Sequence, residues 1–583
     1  MKRIMKYLRP YMGAMSLSLT VKVLATLSEL AIPYILSYII DGIIRPLADS
    51  SAVDTSAVVR QIALWAALMV VCAAAALVGN VFANRMAAKY AASVAREVRR
   101  DLFSRTMRLS AAKTDAFTVP SLESRLTTDT YNIHNFINTM QRMGIRAPIF
   151  LVGGLTLTAT LDGMLTLVMA CVLPFIFVSV YFITSKGLPM YTRVQKAVDS
   201  MIRVVREDAQ GVRVIKALSK TDYEKRRYDK ENAALAAIEG RTNAIMSSTN
   251  PVMNLFMNLG LVAVVFVGAH RVNGGLTEPG KIIAFIQYFT LISMAMMSIT
   301  RIFVIYSKAA ASARRISEVL DTEEGLPPAS TSKFPARAER GVVFDGVSFS
   351  YNGKKQILRD VSFNVPTGTR LGIIGATGSG KSTIISLLMR FYDVDSGSVR
   401  IDGRDVRTLD DHELHSLFGV AMQNDFIVAD TIEENIRFGR DISHEEILRA
   451  AKIAQAADFI ESFDGTYSYM LEAKGANLSG GQKQRLLIAR AIAGNPRILI
   501  LDDSSSALDY KTDAALRTAI ERELSGTTTF IVAQRVSSVM SCEQIAVIHD
   551  GRIAALGSHK ELIASCDIYR EISNSQLGGA ILE

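Results

Sequence analysis

Cysteine is scarce in this chain: four among 583 residues, at Cys72, Cys171, Cys542 and Cys566. None stands at a CxxC or metal-ligand spacing, and the first two lie inside apolar runs. A disulfide framework is therefore not expected. A secretory leader is not expected either. The basic start Met1-Lys-Arg-Ile-Met-Lys-Tyr-Leu-Arg9 has the charge of one, but the apolar stretch after it runs from about Gly13 to Ile44. That is far longer than a leader's apolar core, and no small-residue cleavage site interrupts it. Acidic excess is lacking too, with 56 Asp and Glu against 65 Lys and Arg, a net charge of +9. A basic balance is compatible with nucleic acid, so the placement of the cations has to decide.

What the chain has in abundance is apolar sequence. Hydrophobic residues make up 49% of it and the mean hydropathy is +0.23. The length exceeds one core, and about two to four domains are expected. Six apolar stretches, centred on 13–44, 61–84, 138–161, 164–185, 245–271 and 280–306, are each long enough to cross about 30 Å of hydrocarbon as a helix. The outer connections Arg45–Val59, Leu161–Gly163 and Val272–Pro279 carry few cations. The second-to-third connection is rich in them (Arg85, Lys89, Arg96, Arg99 and others to Arg125), as is the fourth-to-fifth, from Lys186 to Lys230. By the positive-inside rule, both long connections and both termini face the cytoplasm. The cations are accounted for without nucleic acid. Both basic segments keep helical periodicity, so the spans are expected to continue as long cytoplasmic hairpins, turning near Asp115–Ser121 and near Ala209–Leu218.

Polar residues within the spans are few and informative. Lys22, Thr26 and Glu29 share one face of the first helix. A charge at that depth faces a partner or a water-filled cavity. Asn250, Asn254 and Asn258 repeat every fourth residue in the fifth span, and Gln287 lies in the sixth. Met246, Met253, Met257, Met294, Met296 and Met297 crowd nearby, and a flexible methionine wall suits varied apolar ligands. Lys22, Glu29, Asn250, Asn254 and Gln287 are thus candidate cavity residues; interhelical hydrogen bonding is the alternative reading.

Beyond Ser307 a helix is expected to leave the membrane through Leu320, followed by a Pro/Ser-rich linker at Gly325–Lys333. From about Gly341 short apolar strands alternate with helical segments, the pattern of an α/β domain. Within it, Gly375-Ala-Thr-Gly-Ser-Gly-Lys381-Ser382-Thr383 follows an apolar strand and opens a helix, the setting of a phosphate-binding P-loop. Its residues Gly375, Ala376, Thr377, Gly378, Ser379 and Gly380 allow backbone N–H groups to converge on phosphate oxygens. Lys381 neutralises the β- and γ-phosphates, and Ser382 ligates Mg²⁺. A second apolar strand, Arg497-Ile-Leu-Ile-Leu, ends in Asp502, suited to hold Mg²⁺, and Asp503, where an attacking water is positioned. Leu478-Ser479-Gly480-Gly481-Gln482 is another glycine-rich loop opening a helix. Tyr351 is a candidate for stacking on adenine, and Gln423 is a polar residue just after a strand.

Phe349-Ser-Tyr351, the P-loop, Gln423, Leu478–Gln482, the Asp502 strand and Ser506-Ala-Leu-Asp509 occur in the order found in ATP-binding cassettes. With six spans ahead of it, the whole chain resembles a half-transporter of the ABC exporter type. Ser124–Thr127 and Gly211–Lys216 are similar to stretches in that family's cytoplasmic hairpins. The resemblance implies an α-helical transmembrane domain of six long helices at 1–321, a linker at 322–340 and an α/β P-loop ATPase domain at 341–583. It implies a dimer in which ATP and Mg²⁺ lie between one chain's P-loop and the other's Ser479–Gln482 loop. It also implies coupling helices at the hairpin turns, Tyr351 on the adenine and Gln423 reaching the metal. No peptidase-like segment precedes the spans, which argues against a peptide-processing exporter.

Three positions depart from the family's active pattern, two of them at the site itself, where that pattern has Glu after the metal-binding Asp and His in the switch loop. Here they are Asp503 and Gln534, and Ala473 replaces a Glu usual before the signature loop. Asp503 is one methylene short; Gln534 still hydrogen-bonds a γ-phosphate but carries no positive charge. The combination resembles the degenerate-site subunit of heterodimeric bacterial drug or lipid exporters, whose partner supplies the catalytic Glu. A homodimeric exporter relying on Asp503, and an importer of siderophores with the same fold, stay open as alternatives.

Overall fold

The structure is a computed structural model describing residues 2–46, 55–326, 329, 336–338, 340–351, 353, 355–423, 426–504 and 506–577. Two compact units are present, Met1–Met107 with Pro120–Thr322, and Arg108–Val119 with Glu323–Glu583. The expected linker at 322–340 lies only partly within the described residues.

The first unit is helical. Its principal helices are α1 (Met12–Tyr38), α2 (Thr55–Met107), and, after the segment that belongs to the second unit, α4 (Thr130–Thr139), α5 (Arg146–Leu161), α6 (Gly163–Ala217), α7 (Thr221–Ser247), α8 (Thr249–Asn273) and α9 (Pro279–Asp321). Among the described residues, six continuous helical stretches are long and apolar enough to cross a membrane, as the sequence predicts. Alanine, the strongest helix former, fills the middle of α2 and sustains it for 53 residues. The third span is interrupted by π turns at Arg125–Asp129 and Met140–Gly144, a feature periodicity does not announce. The second hairpin turns later than expected. Gly211 stays helical inside α6, and the reversal comes at Leu218–Lys220, where Ser219 takes φ 53°. A single glycine costs a helix only about 1 kcal/mol, too little to break one this long.

The second unit contains helix α3 (Ala111–Phe117), started by the Ser110 hydroxyl accepting from the Lys113 N–H and stopped at Thr118 by φ 63°. The rest is α/β. A four-stranded antiparallel sheet has the order β2-β1-β4-β5: β1 (Val342–Phe349), β2 (Leu358–Val365), β4 (Ser396–Ile401), β5 (Arg404–Asp405). A six-stranded sheet, parallel except for its last strand, has the order β10-β9-β3-β8-β7-β6: β3 (Arg370–Gly375), β6 (Phe418–Ala421), β7 (Ile498–Asp502), β8 (Thr528–Val532), β9 (Gln544–His549) and β10 (Arg552–Gly557). Strands β3 and β7 are buried on both faces, which explains their unbroken apolar runs. Val342, Phe344, Ile373, Ile384, Ile500 and Phe530 belong to one core shared by both sheets and the helix α10 (Lys381–Leu388). In the order β3-β8-β7-β6 the carboxyl ends of four parallel neighbours lie along one edge. Ligands bind at such edges in open α/β sheets.

Candidate active site

Each of those four strands delivers one group to the edge. After β3 comes the P-loop, after β7 the Asp502–Asp503 pair, after β8 Gln534, and after β6 Gln423. An open cleft of about 320 Å³ is lined by Tyr351, Thr377, Gly378, Gly380–Thr383, Gln423, Asp502, Asp503 and Gln534 together. The P-loop glycines are required by space and backbone. A Cβ on Gly375 would stand 2.2 Å from the Ile548 carbonyl, and Gly378 and Gly380 have φ 81° and 107°. Gly380 then precedes the first turn of α10, whose unpaired N–H groups and dipole face the loop.

Lys381 is 8% exposed, and its Nζ donates to the carbonyls of Gly375 and Ala376 at 2.8 and 2.9 Å. Burial pushes its pKa down, against the pull of Asp502 and Asp503. Burial pushes the Asp502 carboxyl up, partly offset by a hydrogen bond from Ser382. Burial also raises Asp503, opposed by Lys381 and Arg535. The Ser379 hydroxyl is buried in the loop and, among the described residues, has no hydrogen-bond partner, so it is free to donate to an oxygen placed in the loop. These residues fit a magnesium-bound phosphate chain: Ser382 and Asp502 are neighbouring hard oxygen donors, and Mg²⁺ is commonly held by one or two carboxylates plus substrate phosphates. Among the described residues no cluster of three or more His, Cys, Asp or Glu offers a full metal cage.

Asp503 is the pivot of the cleft. It sits at φ 48°, its N–H donating to the Val532 carbonyl at 2.8 Å. Its Oδ2 accepts from Gln423 Nε2 and from Gln534 Nε2, both at 3.3 Å. Tyr351 and Thr383 share a hydrogen bond at 3.2 Å between their hydroxyls. Tyr392 packs edge-on to Tyr351, ring centroids 5.0 Å apart, and donates to Asp115 of α3.

Ser479, Gly480, Gly481 and Gln482 do not line this cleft. They start α11 (Gly480–Ile492) through a capping box: the Ser479 hydroxyl accepts from the Gln482 N–H, and Gln482 Oε1 accepts from the Ser479 N–H at 2.8 Å. In the helical unit, Lys22 is 2% exposed, with Nζ 2.6 Å from Asn80 Oδ1 and 3.2 Å from Asn84 Oδ1. Asn80 Nδ2 donates to Glu29 Oε1 and Arg146 Nη2 to Glu29 Oε2, each at 2.7 Å. Lys22 and Glu29 thus meet in one network joining α1, α2 and α5. Asn250 and Asn254 stay exposed on α8, and Gln287 is half-buried on α9. Asn80 and Asn84, four apart in an apolar helix, are a spacing signal the sequence reading missed; Arg146 and Tyr392 carry no local signal.

A P-loop ATPase fused to a six-helix membrane domain is the class this fold and cleft define. Family models match at two places: the ABC transporter transmembrane region over residues 15–296, and the ABC transporter domain over residues 358–506. The chain is 32% identical to an uncharacterized ABC transporter ATP-binding protein of Mycobacterium tuberculosis, over 98% of this chain and 97% of that one. It is 33% identical to the uncharacterized ABC transporter ATP-binding protein YknU of Bacillus subtilis, over 99% and 97% of the two chains. A bacterial Atm1-family ABC exporter with ATP bound shares its fold, with a TM-score of 0.77 and 24% identity over 97% of this chain and 98% of that one. The chain belongs to the ABC transporter family, as a half-transporter whose ATPase is coupled to transport.

Proposed function

We propose that this chain is the degenerate-site half of a heterodimeric exporter that moves hydrophobic or amphiphilic compounds, drug or lipid, out across the bacterial plasma membrane, with the ATPase domain cytoplasmic. The observation that carries it is the state of Asp503. This carboxylate is one methylene shorter than Glu and accepts from two neutral amides, Gln423 and Gln534, and among the described residues no histidine lines the cleft with it. A water aligned by it stands roughly 1 Å from where a longer side chain would place it, and displacements of that order cost about a hundredfold in rate.

In this reading Tyr351 stacks on adenine and Gly375–Thr383 enclose the phosphates. Lys381 neutralises the β- and γ-oxygens, while Ser382, Asp502 and Gln423 hold Mg²⁺, which supplies charge neutralisation when bound. Asp503 orients water poorly, and Gln534 contacts the γ-phosphate without charge. The exposed Ser479–Gln482 loop serves the partner's site, where the partner supplies the catalytic Glu. Lys22, Glu29, Asn250, Asn254 and Gln287 border the transported compound's path, with Lys22 and Glu29 acting through their interhelical network.

The test is ATP hydrolysis by the purified chain alone in lipid nanodiscs, compared with the chain co-purified with a second half-transporter carrying Glu after its metal-binding Asp. Turnover that is slow alone and rises at least tenfold in the pair supports the reading. Equal turnover by the chain alone establishes a homodimeric enzyme that works through Asp503.

A further inference from the structure

The switch-loop residue Gln534 follows β8, one residue past Ala533, whose N–H donates to the Ile373 carbonyl of β3 at 3.1 Å. A different element holds it. The last helix, α13 (Asp567–Leu577), places Gln576 against the loop, where Gln576 Nε2 donates to the Gln534 carbonyl at 2.8 Å and Gln576 Oε1 accepts from the Val536 N–H at 2.8 Å. Arg535, between them, is extended at φ −97°, ψ 130°. An extended residue turns the preceding C=O and the following N–H to one side, and a carboxamide offers the matching donor and acceptor. The Val536 N–H opens the short helix α12 (Val536–Val539), whose N-cap residue, Arg535, supplies no side-chain cap. Gln576 therefore satisfies a donor that would otherwise be orphaned.

The helix that carries Gln576 is itself firmly seated. Tyr569 is fully buried in a core with Val539 and Cys542, Ser573 is 5% exposed, and His559 Nδ1 meets the Tyr569 hydroxyl at 2.8 Å. On the other side of the loop Arg535 Nη2 donates to the Ser506 carbonyl at 3.3 Å, and Gln484 of α11 bonds the Ser506 hydroxyl and the Ala507 N–H. The switch loop is thus held between the loop at Ser506–Asp509 and the last helix.

We propose that Gln576 is a positioning residue: its carboxamide fixes the backbone of 534–536 so that the Gln534 amide stays aimed at Asp503 and at the γ-phosphate position. The inference rests on the reading of Gln534 as the γ-phosphate contact. Two measurements on the full-length chain in nanodiscs test it separately. One is affinity, with Mg²⁺, for adenylyl-imidodiphosphate and for ADP; the other is amide hydrogen exchange in the peptide spanning 533–540. The variants are Gln576→Ala, the isosteric Gln576→Met, Gln534→Ala and the Gln534→Ala/Gln576→Ala double.

Both Gln576 variants should weaken the triphosphate analogue about three- to tenfold, the size of one lost hydrogen bond, and ADP less than twofold. Exchange at 534–540 should quicken about fivefold or more. In the double variant the analogue should bind no worse than in Gln534→Ala. Equal losses for both nucleotides, no loss for either, or an undiminished further loss in the double would overturn the proposal. If Gln534→Ala alone leaves the analogue-to-ADP ratio unchanged, the γ-phosphate reading fails. Exchange then decides the clamp by itself: faster exchange in Gln576→Ala sustains it and unchanged exchange removes it.

Discussion

Restoring the missing methylene is the most direct trial of the degenerate-site reading. Asp503→Glu extends the side chain by one C–C bond, about 1.5 Å, and carries the carboxylate outward into the cleft. If that displacement is what limits water positioning, turnover at this chain's own site should rise by up to about a hundredfold, since errors of about 1 Å carry penalties of that size. The change has a structural cost. Residue 503 holds φ 48°, a region Asp tolerates better than Glu, so the variant should lose up to about 1 kcal/mol of stability. Adding Gln534→His introduces a group titrating near pH 6.5, and turnover should acquire a dependence on pH between about 5.5 and 7.5. The assay is phosphate release by the full-length chain in nanodiscs, with and without its partner, alongside nucleotide affinity and thermal unfolding. Unchanged turnover in Asp503→Glu and in the double variant, with affinity intact and Tm slightly lowered, would refute the reasoning.

Three further outcomes follow from the geometry. Burial raises the pKa of Asp502, so the folded chain binds that proton more readily than the unfolded one. Its contribution to stability is therefore full at pH below the ordinary carboxylate range and is lost as pH rises through the raised value. Asp502→Asn, which keeps an acceptor for Ser382, should raise the Tm of the nucleotide-free chain at pH 7.5 and give no gain near pH 4; an equal gain at both would contradict burial as the cause. Lys22→Met leaves the Asn80 and Asn84 oxygens without their buried donor, at a cost of about 1–3 kcal/mol; an unshifted thermal melt in detergent would show the network is not structural. Tyr392→Phe removes the bond to Asp115 but keeps the ring beside Tyr351. It should spare nucleotide affinity and reduce the substrate-stimulated part of ATP hydrolysis, so a loss of affinity instead would place Tyr392 in the nucleotide site.

Much of this site was legible because glycine loops and charged strand ends are written locally. The P-loop needs glycines wherever a Cβ would strike the Ile548 carbonyl or force a left-handed φ. Strands β3 and β7 advertise themselves by being buried on both faces. Lys22 and Glu29 stood out because an apolar helix makes any charge conspicuous, but the sequence could not say whether water or a neighbouring helix answers them. The answer lies about 50 residues away at Asn80 and about 120 away at Arg146, separations no local pattern reports. The π turns at 125–129 and 140–144 were hidden for a related reason: one inserted residue shifts a helix face without changing its composition. Gln576 was invisible on both counts, being one exposed polar residue on an amphipathic helix whose partners are backbone atoms.

The two departures at the site make more sense together than singly. A histidine at 534 would set a potential cation against the residue-503 carboxylate and the γ-phosphate. With glutamine there, Asp503 meets two neutral amides, and among the described residues the charges that oppose its own are those of Lys381 and Arg535. Arg535 is engaged on Tyr510 and the Ser506 carbonyl, and Lys381 belongs to the phosphates on the proposed reading. Little positive charge is left to offset the charge that develops as water attacks the γ-phosphate, and electrostatic stabilisation of that kind is usually the largest catalytic term. On the same reading binding needs none of it, since the P-loop, Lys381, Ser382 and Asp502 line one cleft. A site that keeps the groups for holding Mg-ATP and weakens both groups for cleaving it favours long occupancy over turnover, which is the division of labour the heterodimer reading requires.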